Sequence, residues 1–343
     1  MTALSYPYAE LPAARSTLRV ALGIDWVRMP LPFALDHINL WLLEDGCDAA
    51  GALLWTVVDT GVALDPLKDD WRALLAGHRL TRQIVTHCHP DHLGLAGWLE
   101  RETGAPLWIT LGEYTTAQLL CAEVGNYTIA AMLALFRRHG LDEASLAALA
   151  KRGNGYKQVV PQIPSTYRRL VDGERIAIGG NEWRIIVGHG HAPEHAALYC
   201  ERLGVLISGD MMLPRISTNV SVLASLPDDD PLGQFLDSIV EFEALPADTL
   251  VLPSHGRPFC GLHQRIVELQ QHHRARCDDL LRACAVPLSA AALIPVLFAR
   301  PIADAHQTMF AMGEAMAHLN YLEHRGEITR GLEDGIIKFR KTN

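Results

Sequence analysis

A chain of 343 residues exceeds one ordinary domain, and 49% hydrophobic with 20% charged residues is the composition of a folded globular protein, which excludes a disordered or fibrous one. Acidic residues outnumber basic ones 39 to 30, so a net charge of −9 argues against whole-protein attraction to nucleic acid or an anionic membrane and leaves only a local patch open. No long apolar run and no apolar segment behind a basic start occur, and the seven cysteines lack a Cys-x-x-Cys pair; a soluble, unprocessed, cytoplasmic chain with free thiols is expected.

Residues 1–17, rich in Pro and Ala, are expected to hug the surface. Alternation over 19–31 predicts a strand, 37–43 a second, 44–46 a turn and 52–61 a third strand. Asp59 ends that strand before Gly61, either as a turn residue or as a carboxylate that orients a metal ligand. A helix over 65–77 with Trp71, Leu74 and Leu75 on its apolar side precedes a strand at 83–86. Then comes Thr86-His87-Cys88-His89-Pro90-Asp91-His92-Leu93-Gly94. His87 and His89 fall on one side of an extended backbone, while Asp91 and His92 follow as Pro90 bends the chain. Such a stretch can give two ligands to one ion and two to a neighbour, and neutral imidazole with carboxylate suits Zn²⁺, Fe²⁺ or Mn²⁺. Cys88 faces the other way and reads as a core residue.

A helix over 93–102 and a strand over 106–110 continue a strand–helix alternation that puts these ligands at a strand's C-terminal end, where α/β folds place their sites. The insertion at 112–168 breaks that rhythm with helices over 115–122, 127–139 and 142–151. Its stripe of Met132, Leu133, Leu135 and Phe136 either packs on itself or forms a lid, with Tyr127, Phe136 and Tyr156 as candidate walls of a substrate pocket. Strands return at 175–178 and 183–187 around Gly179-Gly180-Asn181, then at 196–200, 205–208 and 249–253, with a helix at 232–244. From 263 onward, three helices and two short strands trace a winged-helix outline, so the chain divides into 1–262 and 263–343.

Three further clusters follow strands: Gly188-His189-Gly190-His191-Ala192-Pro193-Glu194-His195, Ser208-Gly209-Asp210 and Pro253-Ser254-His255-Gly256. With the His87–His92 motif, and Asp59-Thr60-Gly61 before it, the sequence resembles the metallo-β-lactamase fold superfamily over about residues 20–262. The resemblance implies an α/β fold, a four-layer αββα sandwich with the helical insertion and a small C-terminal winged-helix-like domain. Carried over by motif, His87, His89 and His191 would hold one metal, and Asp91, His92 and His255 a second. Asp210 would bridge the two with a hydroxide. Glu194 stands where the family's Gly-His-Thr-Pro-Gly-His pattern has a glycine; His189 and His195 read as neighbours of the site. Zinc β-lactamases generally lack a carboxylate like Asp210, so the likeness is to the glyoxalase II, lactonase and nuclease branches.

The implied protein is an enzyme, a dinuclear hydrolase in which the bridging hydroxide attacks a carbonyl or phosphorus and Asp91 also passes a proton to the leaving group. Its two divalent ions are expected to be zinc, with iron or manganese allowed. The acidic composition and apolar insertion favour a small thioester, ester or lactone, with Arg215, Asn219 and Tyr127 as candidate contacts. The alternative is cleavage of single-stranded RNA, because the tail resembles the winged helix of mitochondrial β-lactamase-like endoribonucleases. Balanced charge from 263 on disfavours it. A metal-dependent binding or regulatory protein that uses the winged helix is disfavoured by the complete set of seven ligands that the resemblance implies. No membrane partner is expected, and a homodimer is compatible with the sequence.

Overall fold

The computed structural model describes residues 4–32, 35–298, 301–302 and 304–342. Alternating apolar residues build two sheets. In the first, β1 (Leu18–Ala21), β2 (Ile24–Pro30), β3 (His37–Cys47), β4 (Leu53–Val58), β5 (Arg79–Ile84), β6 (Leu107–Thr110) and β7 (Arg168–Leu170) lie side by side in chain order. Pairing is antiparallel through β4 and parallel from β4 to β7. The second sheet holds β8 (Arg175–Ile178), β9 (Asn181–Gly188), β10 (His195–Cys200), β11 (Val205–Gly209) and β12 (Leu250–Pro253), with only the β11–β12 pair parallel.

Trp26, Trp41, Trp183, Ile185, Leu198 and Ile207 fill the space between the sheets, where the Trp26 and Trp41 rings stack 6.1 Å apart. Trp26 Nε1 donates to Asn39 Oδ1 at 2.8 Å, and Asn39 Nδ2 donates to the carbonyls of Pro253 and Gly256. One buried amide therefore ties β3 to the loop after β12 across the sandwich. Helices α1 (Asp65–Leu75), α2 (Pro90–Leu93) and α3 (Ala96–Thr103) follow on the first sheet's outer side, where Trp71, Trp98 and Leu99 are packed. The expected αββα layering is present.

Local differences from the sequence reading have identifiable causes. The strand expected over 19–31 is a hairpin, because Gly23 adopts φ +71 between β1 and β2. The turn expected at 44–46 lies inside β3. The chain turns instead at Asp48, whose carboxylate accepts from the amides of Ala50 and Ala52. The helix expected over 93–102 starts only at Ala96, because Leu95 (φ −95, ψ 4) leaves helical geometry between α2 and α3.

The insertion forms α4 (Leu111–Ala122), α5 (Ile129–Arg138), α6 (Glu143–Arg152) and the short α7 (Gly155–Val159). After α8 (Pro231–Glu241) come α9 (Leu262–Ala283), α10 (Ala290–Leu297), α11 (Ala305–His324) and the hairpin β13 (Ile328–Glu333) with β14 (Ile336–Lys341). Leu135, Phe136, Leu146 and Leu149 share one apolar cluster with Leu293, Met316 and Phe339. His139 stacks on Phe339 at 5.9 Å, and its carbonyl accepts from the Ala291 amide. The stripe thus seals the insertion against the C-terminal helices; it neither packs on itself nor stands open as a lid, and Phe136 is buried. Helix α9 begins at Leu262, and its Leu262, Ile266 and Leu269 join the cluster that holds Phe235 and Phe259 of the sandwich. No described helix is long and apolar enough to cross a membrane.

His273 on α9 and His318 on α11 face each other in this core, Nδ1 to Nε2, at 3.2 Å. Burial pushes His273 down to about 2, with His318, His272 and Arg265 adding to it; burial, His272 and Arg276 push His318 to about 4 despite the Glu314 carbonyl. Both lie below the ordinary value of about 6.5, so the unfolded chain takes up protons that the folded one refuses. Their stabilising share is complete above about pH 6.5 and is lost as pH falls from there toward the folded values. The melting temperature is expected to drop between about pH 7.5 and pH 5, and His273→Leu to flatten that drop. Equal drops in both proteins would contradict the assignment.

Candidate metal centre

The site assembles where strands end. Asp59 closes β4 at φ +64, held there by its amide on the Ile84 carbonyl at 2.8 Å. Its carboxylate accepts from the Thr86 amide at 2.8 Å, from the Thr86 hydroxyl, and from His92 Nδ1 at 2.8 Å. The Thr86 hydroxyl, its hydrogen given to Asp59, accepts from His87 Nδ1 at 3.0 Å. β5 stops at Ile84, so the motif occupies a loop, and Pro90 starts a single helical turn that carries Asp91 and His92. Three other strand ends supply the rest. His191 lies beyond β9, and its Nδ1 donates to the Asn219 carbonyl at 2.6 Å. Asp210 follows Gly209, where a side chain would come within 2.3 Å of His195 Nε2. The Asp210 amide donates to that nitrogen at 3.1 Å. His255 follows β12, and its Nδ1 donates to the His37 carbonyl at 2.7 Å, while His37 Nε2 accepts from the Gly256 amide.

With these outer nitrogens engaged, the other ring nitrogens turn inward. His87 Nε2 is 2.9 Å from His89 Nδ1 and 3.1 Å from His191 Nε2. On the other side, Asp91 Oδ2 is 3.3 Å from His255 Nε2 and 3.7 Å from His92 Nε2. Asp210 stands between the trios: Oδ2 is 3.5 Å from His191 Nε2, and Oδ1 is 3.5 Å from His255 Nε2 and 3.7 Å from His92 Nε2. Donor atoms of His87, His89 and His191, and likewise those of Asp91, His92 and His255, lie within 4.8 Å of one another. A tetrahedral ion with bonds of about 2.1 Å needs donors roughly 3.4 Å apart. Two inward atoms, His92 Nε2 and Asp210 Oδ1, are buried without a hydrogen-bond partner. The donor set therefore fits divalent cations.

Electrostatics agree with that fit. Burial, then neighbouring imidazoles, hold His87 well below the usual range; burial and His191 lower His89 to about 3. Burial disfavours charge on His92, yet Asp59, Asp91 and Asp210 outweigh it and raise the ring to about 9. Burial likewise works against ionising Asp91, but His92 and His255 bring it to about 2.

Residues 37–255 match the family model described as the metallo-beta-lactamase superfamily. The chain belongs to that superfamily. Residues 277–342 match a second model, the metallo-beta-lactamase-like C-terminal domain. A crystal structure of a beta-lactamase domain protein from Burkholderia ambifaria is 46% identical, with a TM-score of 0.90 over 99% of this chain and 98% of the other. The metallo-hydrolase YqjP of Bacillus subtilis, so named as probable, is 26% identical over 327 residues, 92% of this chain and 96% of its own. A hydroxyacylglutathione hydrolase of Rhodospirillum rubrum is 31% identical over 140 residues, 40% of this chain and 52% of its own. The protein is a metallo-hydrolase of the metallo-beta-lactamase superfamily, with a His/Asp cluster suited to divalent metal.

Its sequence pattern does not announce every group that shapes the superfamily site. Glu113, in the first turn of α4, is fully buried, and its carboxylate accepts from the Cys88 amide at 2.8 Å and the Glu194 amide at 2.7 Å. One side chain thus fastens the loop of His87–His92 to the loop of His191. Tyr156 on α7 donates to the Cys88 carbonyl at 2.6 Å, and so braces the metal loop where it was expected to line a pocket. An acid in a helix's first turn ordinarily serves the helix dipole, so nothing in the sequence separates Glu113 from that role. Glu113→Ala leaves the buried Cys88 amide and the part-buried Glu194 amide unpartnered and is expected to weaken metal binding about tenfold or more, with Glu113→Gln recovering part of the loss. Chelator competition reads this directly; an unchanged affinity in Glu113→Ala would contradict the clamp.

Cys88 is packed among Val85, Leu93 and Ile109, and burial together with Glu113 drives its thiol well above the usual range. His195 backs Asp210, and His189 is exposed with Nδ1 on the Pro193 carbonyl. Arg215 is not drawn into the cluster. Arg265 donates to the carbonyls of Leu213 and Ile216, which turns Arg215 outward over the Tyr6 ring at 5.8 Å. Tyr127 sits in the turn before α5, its amide on the Val124 carbonyl, and no side-chain hydrogen bond links it to the cluster among the described residues. Asn219 does adjoin the site, through its backbone oxygen on His191.

Proposed function

We propose that this chain hydrolyses a small-molecule thioester, ester or lactone at a two-metal centre, with zinc, iron or manganese as the ions. The observation that carries the reading is Asp210, one carboxylate whose two oxygens face different donor trios, 3.5 Å from His191 on one side and 3.5 Å from His255 on the other. Two dications held by such a set bring the pKa of water toward neutrality and offset charge that develops on the substrate. The chain's own residues do the rest. Asp59 holds His92, the Asn219 carbonyl holds His191 and the His37 carbonyl holds His255, so each ring presents a fixed lone pair. Asp91 is the most solvent-accessible carboxylate of the set, with 19% of its side chain exposed against 11% for Asp210. That placement suits it to pass a proton to the leaving group. Ser208 donates to the Met212 carbonyl and offers no nucleophile.

The acyl reading draws support from the net charge of −9 and from the partial match to a hydroxyacylglutathione hydrolase. In the C-terminal hairpin, Arg330 pairs with Asp228 and Glu323, and Lys338 pairs with Glu333, so these bases are already neutralised. The test is a panel of an acyl thioester, a lactone, a phosphodiester and single-stranded RNA, each with added Zn²⁺, Mn²⁺ or Fe²⁺. Turnover of the thioester or lactone above the phosphodiester and RNA is expected. Cleavage of RNA alone would overturn the substrate class.

A further inference from the structure

Joined to the donor trios through Asn219 is a cavity of about 260 Å³, bounded by Asn219, Phe298, Ile302, Gln307, Phe310, Ala311 and Glu314. An apolar cavity of about 150 Å³ accommodates benzene, so this one has room for a ring or short chain plus a polar end group. Asn219 connects it to the site. Its carbonyl accepts from His191 Nδ1 at 2.6 Å, and its side-chain amide donates to Glu314 at 3.2 Å. The Glu314 carboxylate is therefore two hydrogen bonds from a candidate metal ligand.

Glu314 is an unusual lining group. It is half-buried at the cavity wall, and the Asn219 amide is its one hydrogen-bond donor among the described residues. No lysine or arginine among the described residues pairs with it. Burial pushes its carboxyl up to about 7, against the pull of Asn219. A carboxylate so placed needs either a proton or a counter-ion. The phenyl rings of Phe298 and Phe310 beside it add faces that attract cations.

We propose that this cavity is the specificity pocket of the hydrolase and takes a substrate arm ending in an ammonium group, the ammonium against Glu314 and the arm's apolar part against Phe298 and Phe310. That the occupant is substrate rests on the hydrolytic reading above; that the cavity binds an aryl or alkyl amine does not.

The experiment titrates the full-length, metal-loaded protein with 2-phenylethylamine and with 2-phenylethanol, by calorimetry or ligand-observed NMR. The amine is expected to bind about tenfold more tightly than the alcohol. Glu314→Gln is expected to erase that preference and leave alcohol binding unchanged. Phe310→Leu, at a side chain 39% exposed, is expected to weaken both probes and checks the pocket independently of Glu314. Equal binding of the two probes, a preference that survives Glu314→Gln, or no binding of either at millimolar concentration would overturn the pocket. A second arm uses the amine as inhibitor of whichever acyl substrate is turned over: a raised KM at unchanged kcat supports the substrate arm. Amine binding without inhibition overturns that part alone. Binding is read without turnover, so a protein that hydrolyses nothing in the panel can still pass the first arm, and the two readings fail separately.

Discussion

Asp210→Ala is expected to abolish hydrolysis, a loss of the order of a thousandfold or more in kcat/KM, and to lower the bound metal. Among the described residues no other carboxylate faces both trios: Asp210 lies 3.5 to 3.7 Å from the inward nitrogens of His191, His255 and His92. Its ionised form is favoured despite burial, because His255 and His92 hold its pKa well below the usual carboxylate range. Removing it leaves two imidazoles with raised affinity for protons, and of the two carboxylates they share only Asp91 remains. Breaking a buried pair of this kind costs about 3–5 kcal/mol, so the metal-free variant is also expected to melt earlier. Asp210→Asn keeps the size and one acceptor but no charge, and is expected to fall between the two. The check is metal analysis after dialysis, together with turnover of the substrate found in the panel. A variant with full metal and full rate would contradict the assignment of Asp210 as the shared ligand.

The second large effect is expected at Asp59, a residue outside the donor trios. Asp59→Asn is expected to weaken metal binding about tenfold to a hundredfold and to lower the rate at limiting metal, with excess metal restoring part of it. The native carboxylate accepts at once from the Thr86 amide, the Thr86 hydroxyl and His92 Nδ1, and through Thr86 it also fixes His87. Asparagine tolerates the φ of +64 found here, so the substitution preserves the backbone while removing charge and one acceptor. Partial rescue by metal separates this from a folding defect. Activity that is lost without any dependence on metal concentration would contradict the orienting role.

Much of the site could be read from the sequence because its ligands come in short runs after strands. His87 to His92, His191, Asp210 and His255 each follow an apolar segment, and those segments are neighbours in two packed sheets. Asp59 was legible to the same extent, as a strand-end acid ahead of a glycine. What escaped depends on contacts between distant segments. The stripe around Phe136 says that one face is buried but not against what; its partners, Leu293 and Phe339, lie far along the chain. Glu113 matters because two loops, at Cys88 and Glu194, bring their amides to it. Arg215 looked well placed by its distance from Asp210, and Arg265 on α9 then turns that loop the other way. The extent of β3 was hidden by Asp45 and Gly46, which read as a turn. The strand bulges there, and Asp45 instead accepts from Thr56, Thr81 and Arg82.

The central claim is that the two donor trios around Asp210 work as one dinuclear centre. The most direct measurement is hydrolysis by chelator-stripped protein as Zn²⁺, Mn²⁺ or Fe²⁺ is added back in known equivalents. No turnover is expected without metal, with a rise that levels off at about two equivalents per chain. Full turnover by the metal-free protein would contradict the account.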